Sequence, residues 1–166
     1  MSLTVTLDTN LFYDKAEGRE GASVFDKIVE LARKGKVLLY FTATTDYEDK
    51  SGGATRIIIN LRREGVLQES ANAGTPQDFM PGAPGLHYVN EVECDKLLRC
   101  IWPDQKWKSA TDNKRRDVYH LLAHMRNGHD IYLTRDQEIL HKTQVLKENC
   151  GITVMSPNKL LESAVY

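Results

Sequence analysis

The sequence predicts an α/β fold, a three-layer α/β/α sandwich built on a mainly parallel sheet, from three observations. Short apolar, strand-like runs alternate with helical periodicities from one end of the chain to the other. One of these runs, Val37-Leu38-Leu39-Tyr40-Phe41, is continuously apolar, as expected of a strand covered on both faces. With 166 residues, 41% of them hydrophobic, the chain has the size and apolar content of one domain with one core.

Residues 3 to 7 alternate Leu, Thr, Val, Thr, Leu, the period of a strand, and stop at Asp8-Thr9-Asn10. Past Gly18 and Gly21, Val24, Ile28, Leu31 and Ala32 recur at helical spacing, and Gly35 is placed to end that helix. After the strand 37–41, residues 42–50 read as a strand-to-helix turn in which Thr45 and Glu48 have capping-box spacing. Gly52-Gly53 then interrupts the chain before a helix carrying Ile57, Ile58 and Leu61.

Residues 69–110 hold four of the five prolines and read as an irregular insertion or lid, followed by a short helix around Val92, Leu97, Leu98 and Ile101. From Thr111 a longer helix is predicted: Val118, Leu121, Leu122 and Met125 fall at i, i+3, i+4 and i+7, and Gly128 ends it. A strand at Ile131-Tyr132-Leu133 runs into Thr134-Arg135-Asp136. A helix from Ile139 to Glu148, a strand at Ile152-Thr153-Val154 and a helix begun by Pro157 complete the alternation.

The 22 basic and 23 acidic residues nearly cancel, so any nucleic-acid contact has to rest on local features and not on an overall positive field. There is no long apolar run and no leader-like amino terminus, and a soluble, cytoplasmic protein is expected. Cys94, Cys100 and Cys150 lack the paired spacing of a zinc ribbon or redox dithiol and read as reduced, structural thiols.

The chemistry is carried by acids. In a parallel sheet the loops after successive strands open at one edge, and Asp8 and Asp136 both follow apolar strands directly. Glu48 follows the second strand by about one turn, and Asp117 sits early in the helix that precedes the Asp136 strand. A helix descending from Asp117 to Gly128 covers about 16 Å, and the extended chain climbing back to Asp136 covers about the same if the two run antiparallel, so that four carboxylates can converge. Such a cluster is stable mainly when a divalent cation or shared protons offset its charge, and oxygen ligands favour Mg²⁺ or Mn²⁺.

Four segments, Leu7-Asp8-Thr9-Asn10, Phe41 to Glu48, Arg116-Asp117-Val118-Tyr119-His120-Leu121 and Tyr132-Leu133-Thr134-Arg135-Asp136, resemble in order and spacing the successive motifs of PIN domains. That family consists largely of Mg²⁺- or Mn²⁺-dependent ribonucleases and includes the VapC toxins of toxin-antitoxin pairs. The resemblance covers about residues 4–162 of a single PIN-like domain. It implies that Asp8, Glu48, Asp117 and Asp136 are the metal-binding, catalytic acids, with Asn10 and Thr134 shaping the site. RNA would be the substrate, an antitoxin-like protein a partner, and a homodimer the assembly. Two departures stand out: Asp46 offers a rival ligand beside Glu48, and 69–110 is longer and richer in proline than a compact toxin needs.

Plainer readings compete at each position. Asp8 could start an Asx-turn, Asp117 could be an early-helix acid favoured by the helix dipole, and Glu48 could serve only as the capping partner of Thr45. Asp112 and Glu138 read as solvated or supporting acids. His120 and His124 have the spacing of a zinc pair, but Leu121 stands where a zinc protease carries glutamate. Lys114, Arg115, Arg116 and Arg135 could neutralise phosphates or form a solvated face, and Trp102 and Trp107 fit core packing better than base stacking. Two other classes compete with a ribonuclease: a non-catalytic PIN-like module binding RNA or protein, and a haloacid dehalogenase-type phosphatase. The second is disfavoured because Asn10 stands where that chemistry needs its second aspartate.

Overall fold

The computed structural model describes residues 2–42, 52–70 and 91–164. Its elements follow as β1 (Leu3–Leu7), α1 (Thr9–Ala16), α2 (Ala22–Arg33), β2 (Val37–Phe41), α3 (Gly53–Arg63), β3 (Leu67–Glu69), α4 (Glu91–Ile101), a 3-10 turn (Trp107–Ser109), α5 (Asp112–Asn127), β4 (Ile131–Leu133), α6 (Gln137–Leu140), α7 (Thr143–Cys150), β5 (Val154–Met155) and α8 (Pro157–Ala164). The five strands form one sheet in the order β3-β2-β1-β4-β5, and every pairing is parallel.

Alternation along the strands divides the apolar residues between two faces. Val5, Leu7, Leu39, Phe41 and Leu133 point to one side, where they pack with Leu11 and Phe12 of α1, Phe25 and Ile28 of α2, Ile58 of α3 and Leu160 of α8. Tyr132 and Val154 point to the other and join Leu97 and Leu98 of α4, Val118, Leu121 and Leu122 of α5, Ile139 of α6 and Leu146 of α7. Each such side chain, fully buried, contributes roughly 1.5–3 kcal/mol, which is why helices settle on both faces. Trp102 and Trp107 are half-buried at the margin of this second core.

Several boundaries differ from the sequence reading. Helix α1 was not expected, because its eight residues hold only Leu11, Phe12 and Tyr13 as large apolar groups, too few to show a period. Strand β3 was not expected either; at three residues it is fixed by its pairing with β2 and not by its own composition. Of the stretch 69–110, residues 71–90 lie outside the described residues, while Glu91–Ile101 is a helix of 11 residues with Cys94, Leu97, Leu98 and Ile101 on its buried face. The helix expected over 139–148 is two, α6 and α7, separated at His141-Lys142, and β5 lies at 154–155 instead of 152–154. Gly128 ends α5 as read, with a left-handed φ of 63° that turns the chain toward β4.

Candidate active site at the carboxyl edge of the sheet

The register between β1 and β4 sets Leu7 opposite Leu133, so the residues that follow, Asp8 and Thr134, emerge side by side. The Asp8 amide continues the ladder by donating to the Leu133 carbonyl over 3.0 Å. Asp8 is 4% exposed and occupies the N-cap position of α1. Its Oδ2 accepts hydrogen bonds from the Thr134 hydroxyl at 2.5 Å and from Asn10 Nδ2 at 2.7 Å. A buried carboxylate is costly without such donors, so Asn10 and Thr134 hold it in place.

Thr134 connects the two strand tips. While donating to Asp8, its Oγ1 accepts from Asn10 Nδ2 and from the Asp136 amide, each at 3.0 Å. Asn10 Oδ1 in turn lies 3.4 Å from the Arg135 amide that donates to it. Asp136 caps α6: its Oδ1 accepts from the amides of Glu138 at 2.7 Å and Ile139 at 3.2 Å. The cap and the carboxyl-edge position are therefore two roles of one side chain, and the described hydrogen bonds of Asp136 leave Oδ2 out.

Arg135, between these two residues, forms an ion pair with Asp14, and Arg19 approaches the same carboxylate at 3.9 Å. The Asp14 side chain is 6% exposed against 40% for Arg135 and 54% for Arg19, so a buried acid fixes cations that still reach solvent. Gly21 makes room for the pair, because a Cβ there would strike both Asp14 and the Arg135 guanidinium. Asn10, Asp14, Arg19, Glu20, Arg135 and Asp136 line an open hollow of about 490 Å³ beside the strand tips.

Helix α5 runs antiparallel to β1, as its contacts show from top to bottom. His120 Nδ1 meets the Thr42 hydroxyl just past β2, and its Nε2 lies 3.1 Å from Thr9 Oγ1. His124 Nδ1 is 2.9 Å from Thr6 Oγ1 in mid-strand, and Asp130, beyond the helix, accepts from the Thr4 amide and hydroxyl at 2.8 and 2.7 Å. Asp117 is half-buried, three residues before His120 on the same helical face, about 4.5 Å further toward the carboxyl edge.

The two histidines of that helix are thus hydrogen-bonded core residues, not a zinc pair. Their rings hold α5 to Thr6 of β1, to Thr9 of α1 and to Thr42 past β2 through threonine hydroxyls, which both donate and accept. Burial, with His129 nearby, pushes His124 down to about 3. His129 shares Thr6 Oγ1 at 2.8 Å, stacks on Tyr40 at 4.0 Å between ring centroids, and is likewise lowered by burial. Two of the basic residues at the start of α5 are engaged with tryptophans: Lys114 lies over Trp102 at 4.8 Å and Arg115 over Trp107 at 5.6 Å. Arg116 is half-buried, Trp102 donates to Glu138 at 3.1 Å, and Asp112 lies in the first turn of α5.

The carboxyl edge therefore gathers Asp8, Asn10, Thr134 and Asp136 directly, with Asp117 above His120 on the neighbouring helix. Glu48 and its rival Asp46 lie outside the described residues. Among the described residues, no three His, Cys, Asp or Glu side chains form a set that could hold a metal ion. The donors at the strand tips are carboxylate, amide and hydroxyl oxygens, which suit Mg²⁺ or Mn²⁺ better than a softer metal. Sequence reasoning passed over Asp14, Arg19, Gly21, Thr9 and Thr42. Asp14 was hidden because α1 shows no period, Arg19 and Gly21 lie in the turn between α1 and α2, and the threonines carry no local signal of their histidine partner.

A groove of about 920 Å³ between α2, α3 and α8 is larger than the hollow at the strand tips, but Phe25, Val29, Ile57, Leu61 and Leu161 make its floor apolar and it contains none of these acids. Among the described residues, no helix is long and apolar enough to cross a membrane. Comparison of the chain with models of protein families, with curated proteins and with solved structures found no match.

Proposed function

We propose that the protein is a PIN-like, divalent-metal-dependent endoribonuclease that hydrolyses RNA phosphodiester bonds at the carboxyl edge of its sheet. The observation that carries this reading is the bonded set Asp8, Asn10 and Thr134, next to Asp136, where the two central strands end. Parallel α/β sheets bind their ligands at this edge. The all-parallel order β3-β2-β1-β4-β5 supports the reading by making β1 and β4 neighbours, so residues more than 120 positions apart meet without a long excursion.

A bound Mg²⁺ or Mn²⁺ would supply an activated water and offset negative charge on the phosphate. Asp8, Asp117 and Asp136, with Glu48, are the acids that would hold it. Asn10 and Thr134 orient the Asp8 carboxylate, so that little reorganisation accompanies the reaction. Arg135 has one guanidinium nitrogen on Asp14, and its other N–H groups are available in number to meet a phosphate of the RNA backbone. In the hydrolysis, water oxygen attacks phosphorus, the bond from phosphorus to the departing nucleotide oxygen breaks, and a carboxylate at the edge takes up the proton of the water.

The test is cleavage of single-stranded and structured RNAs by the purified protein with Mg²⁺ or Mn²⁺, compared with the Asp8→Asn, Asp136→Asn double variant. Cleavage that requires the metal and disappears in the double variant supports the reading. No cleavage by the wild type, or undiminished cleavage by the variant, overturns it. Mn²⁺ titration of both proteins distinguishes a catalytic domain from one that keeps the fold as a binding module, because only the former should lose metal affinity with Asp8.

A further inference from the structure

The three cysteines, unpaired in sequence spacing, are not equivalent in space. Cys94 is fully buried in the second core, where desolvation pushes its thiol up to about 12. Cys100, near the end of α4, and Cys150, the last residue of α7, are half-buried, and their Sγ atoms lie 3.4 Å apart. We propose that Cys100 and Cys150 are an oxidation site that closes into a reversible intramolecular disulfide linking α4 to α7.

Closing the pair asks for little. A disulfide has an S–S length of about 2.05 Å, so the sulfurs approach by little more than 1 Å, within reach of side-chain rotation and a small shift of one helix end. Cys150 sits at such an end: Gly151, with φ 71°, terminates α7, and capping bonds run from Gly151 to Lys147 and from Ile152 to Leu146 before the chain enters β5. Lys96 is the nearby cation that favours a thiolate at Cys150, whereas burial and the hydrogen bond to Cys100 oppose it and push Cys150 up to about 12. Closure needs a thiolate and therefore quickens as pH rises.

The oxidant is a peroxide. One thiolate attacks the O–O bond, forming a sulfenic acid as the other oxygen departs to become water; the second thiolate then displaces hydroxide from that sulfur. Two thiols and one hydrogen peroxide thus become one disulfide and two waters. A disulfide reagent such as oxidised glutathione gives the same product by two exchanges, releasing two thiols. The half-buried pair is open to these small reagents, and fully buried Cys94 is not.

The test uses the full-length protein treated with hydrogen peroxide at rising pH. The free thiols under denaturing conditions should fall from three to one. Peptide mapping without reductant should recover a Cys100–Cys150 link in monomeric protein, and dithiothreitol should restore all three thiols. The oxidised form should melt roughly 5–10 °C higher, since the link closes a long loop in the unfolded chain. Cys94→Ser should leave the link intact, and Cys100→Ser and Cys150→Ser should each abolish it; agreement of the two protects the result against a folding defect in either. Three thiols remaining after treatment that fully oxidises an exposed reference thiol, or a link involving Cys94 or a second molecule, overturns the proposal. None of these readouts depends on ribonuclease activity.

Discussion

Thr134 Oγ1 and Asp8 Oδ2 lie 2.5 Å apart across the ends of two adjacent parallel strands, and this bond joins the halves of the carboxyl edge. Because the same hydroxyl accepts from Asn10 and from the Asp136 amide, its loss removes three hydrogen bonds at once and leaves Asn10 Nδ2 donating to Asp8 alone. Thr134→Val, close to isosteric, should destabilise the fold by about 1–3 kcal/mol and lower RNA cleavage by at least ~10-fold, while Thr134→Ser retains most of both. Chemical denaturation and cleavage assays on the same preparations check this; a valine variant as stable and active as wild type would show the bond to be incidental.

Asp136 lets a structural role be separated from the proposed catalytic one, because its cap is made by Oδ1 on the Glu138 and Ile139 amides. Asparagine caps about as well as aspartate, so Asp136→Asn should change stability by less than ~0.5 kcal/mol yet remove cleavage. Asp136→Ala should lose cleavage and about 1 kcal/mol besides. Cleavage retained in the asparagine variant, with only the alanine variant destabilised, would reduce Asp136 to a helix cap.

These two residues also show what was legible beforehand. Asp8 and Asp136 could be placed at one sheet edge because each directly follows a patterned strand, and parallel strands share a direction. The main strands and α5 were legible through strong periodicity, with Val118, Leu121 and Leu122 buried as their spacing required. What could not be read was pairing at long range: His120 with Thr42, Arg135 with Asp14 and Cys100 with Cys150 each join residues whose neighbours in sequence say nothing about the other. Helix α1 and strand β3 escaped for a related reason, since each is short and secured by what it packs against.

The buried histidines make stability depend on pH in a definite direction. His124 titrates near 6.5 when unfolded and near 3 when folded. Below pH 6.5 the unfolded chain gains a proton that the folded chain refuses, so stability is full above that value and falls as pH drops toward 3, with a slope approaching ~1.4 kcal/mol per pH unit. His129, also lowered, adds in the same sense. Urea denaturation between pH 8 and 5 should show this loss, and His124→Gln should flatten it; parallel curves for the two proteins would mean that the ring is not buried neutral.

Gly21 tests the least expected part of the site. Its φ of −71° is one that any residue adopts, so alanine there carries no backbone strain, although as the N-cap of α2 the position suits glycine better than alanine. The objection is steric: an added Cβ would meet the Asp14 carboxylate and the Arg135 guanidinium where they pair. Gly21→Ala should therefore shift these side-chain ends at about 1 kcal/mol or less, the low end of overpacking, and should weaken RNA binding by displacing Arg135. Arg135→Gln should weaken binding too, and in Gly21→Ala, Arg135→Gln the two binding losses should be less than additive, because both act through one guanidinium. Binding measured at several salt concentrations supplies the check: each variant should show a slope reduced by about 0.7, the share of one phosphate contact to single-stranded RNA. Full additivity with an unchanged slope would separate Gly21 from Arg135 and remove the pair from the RNA-binding surface.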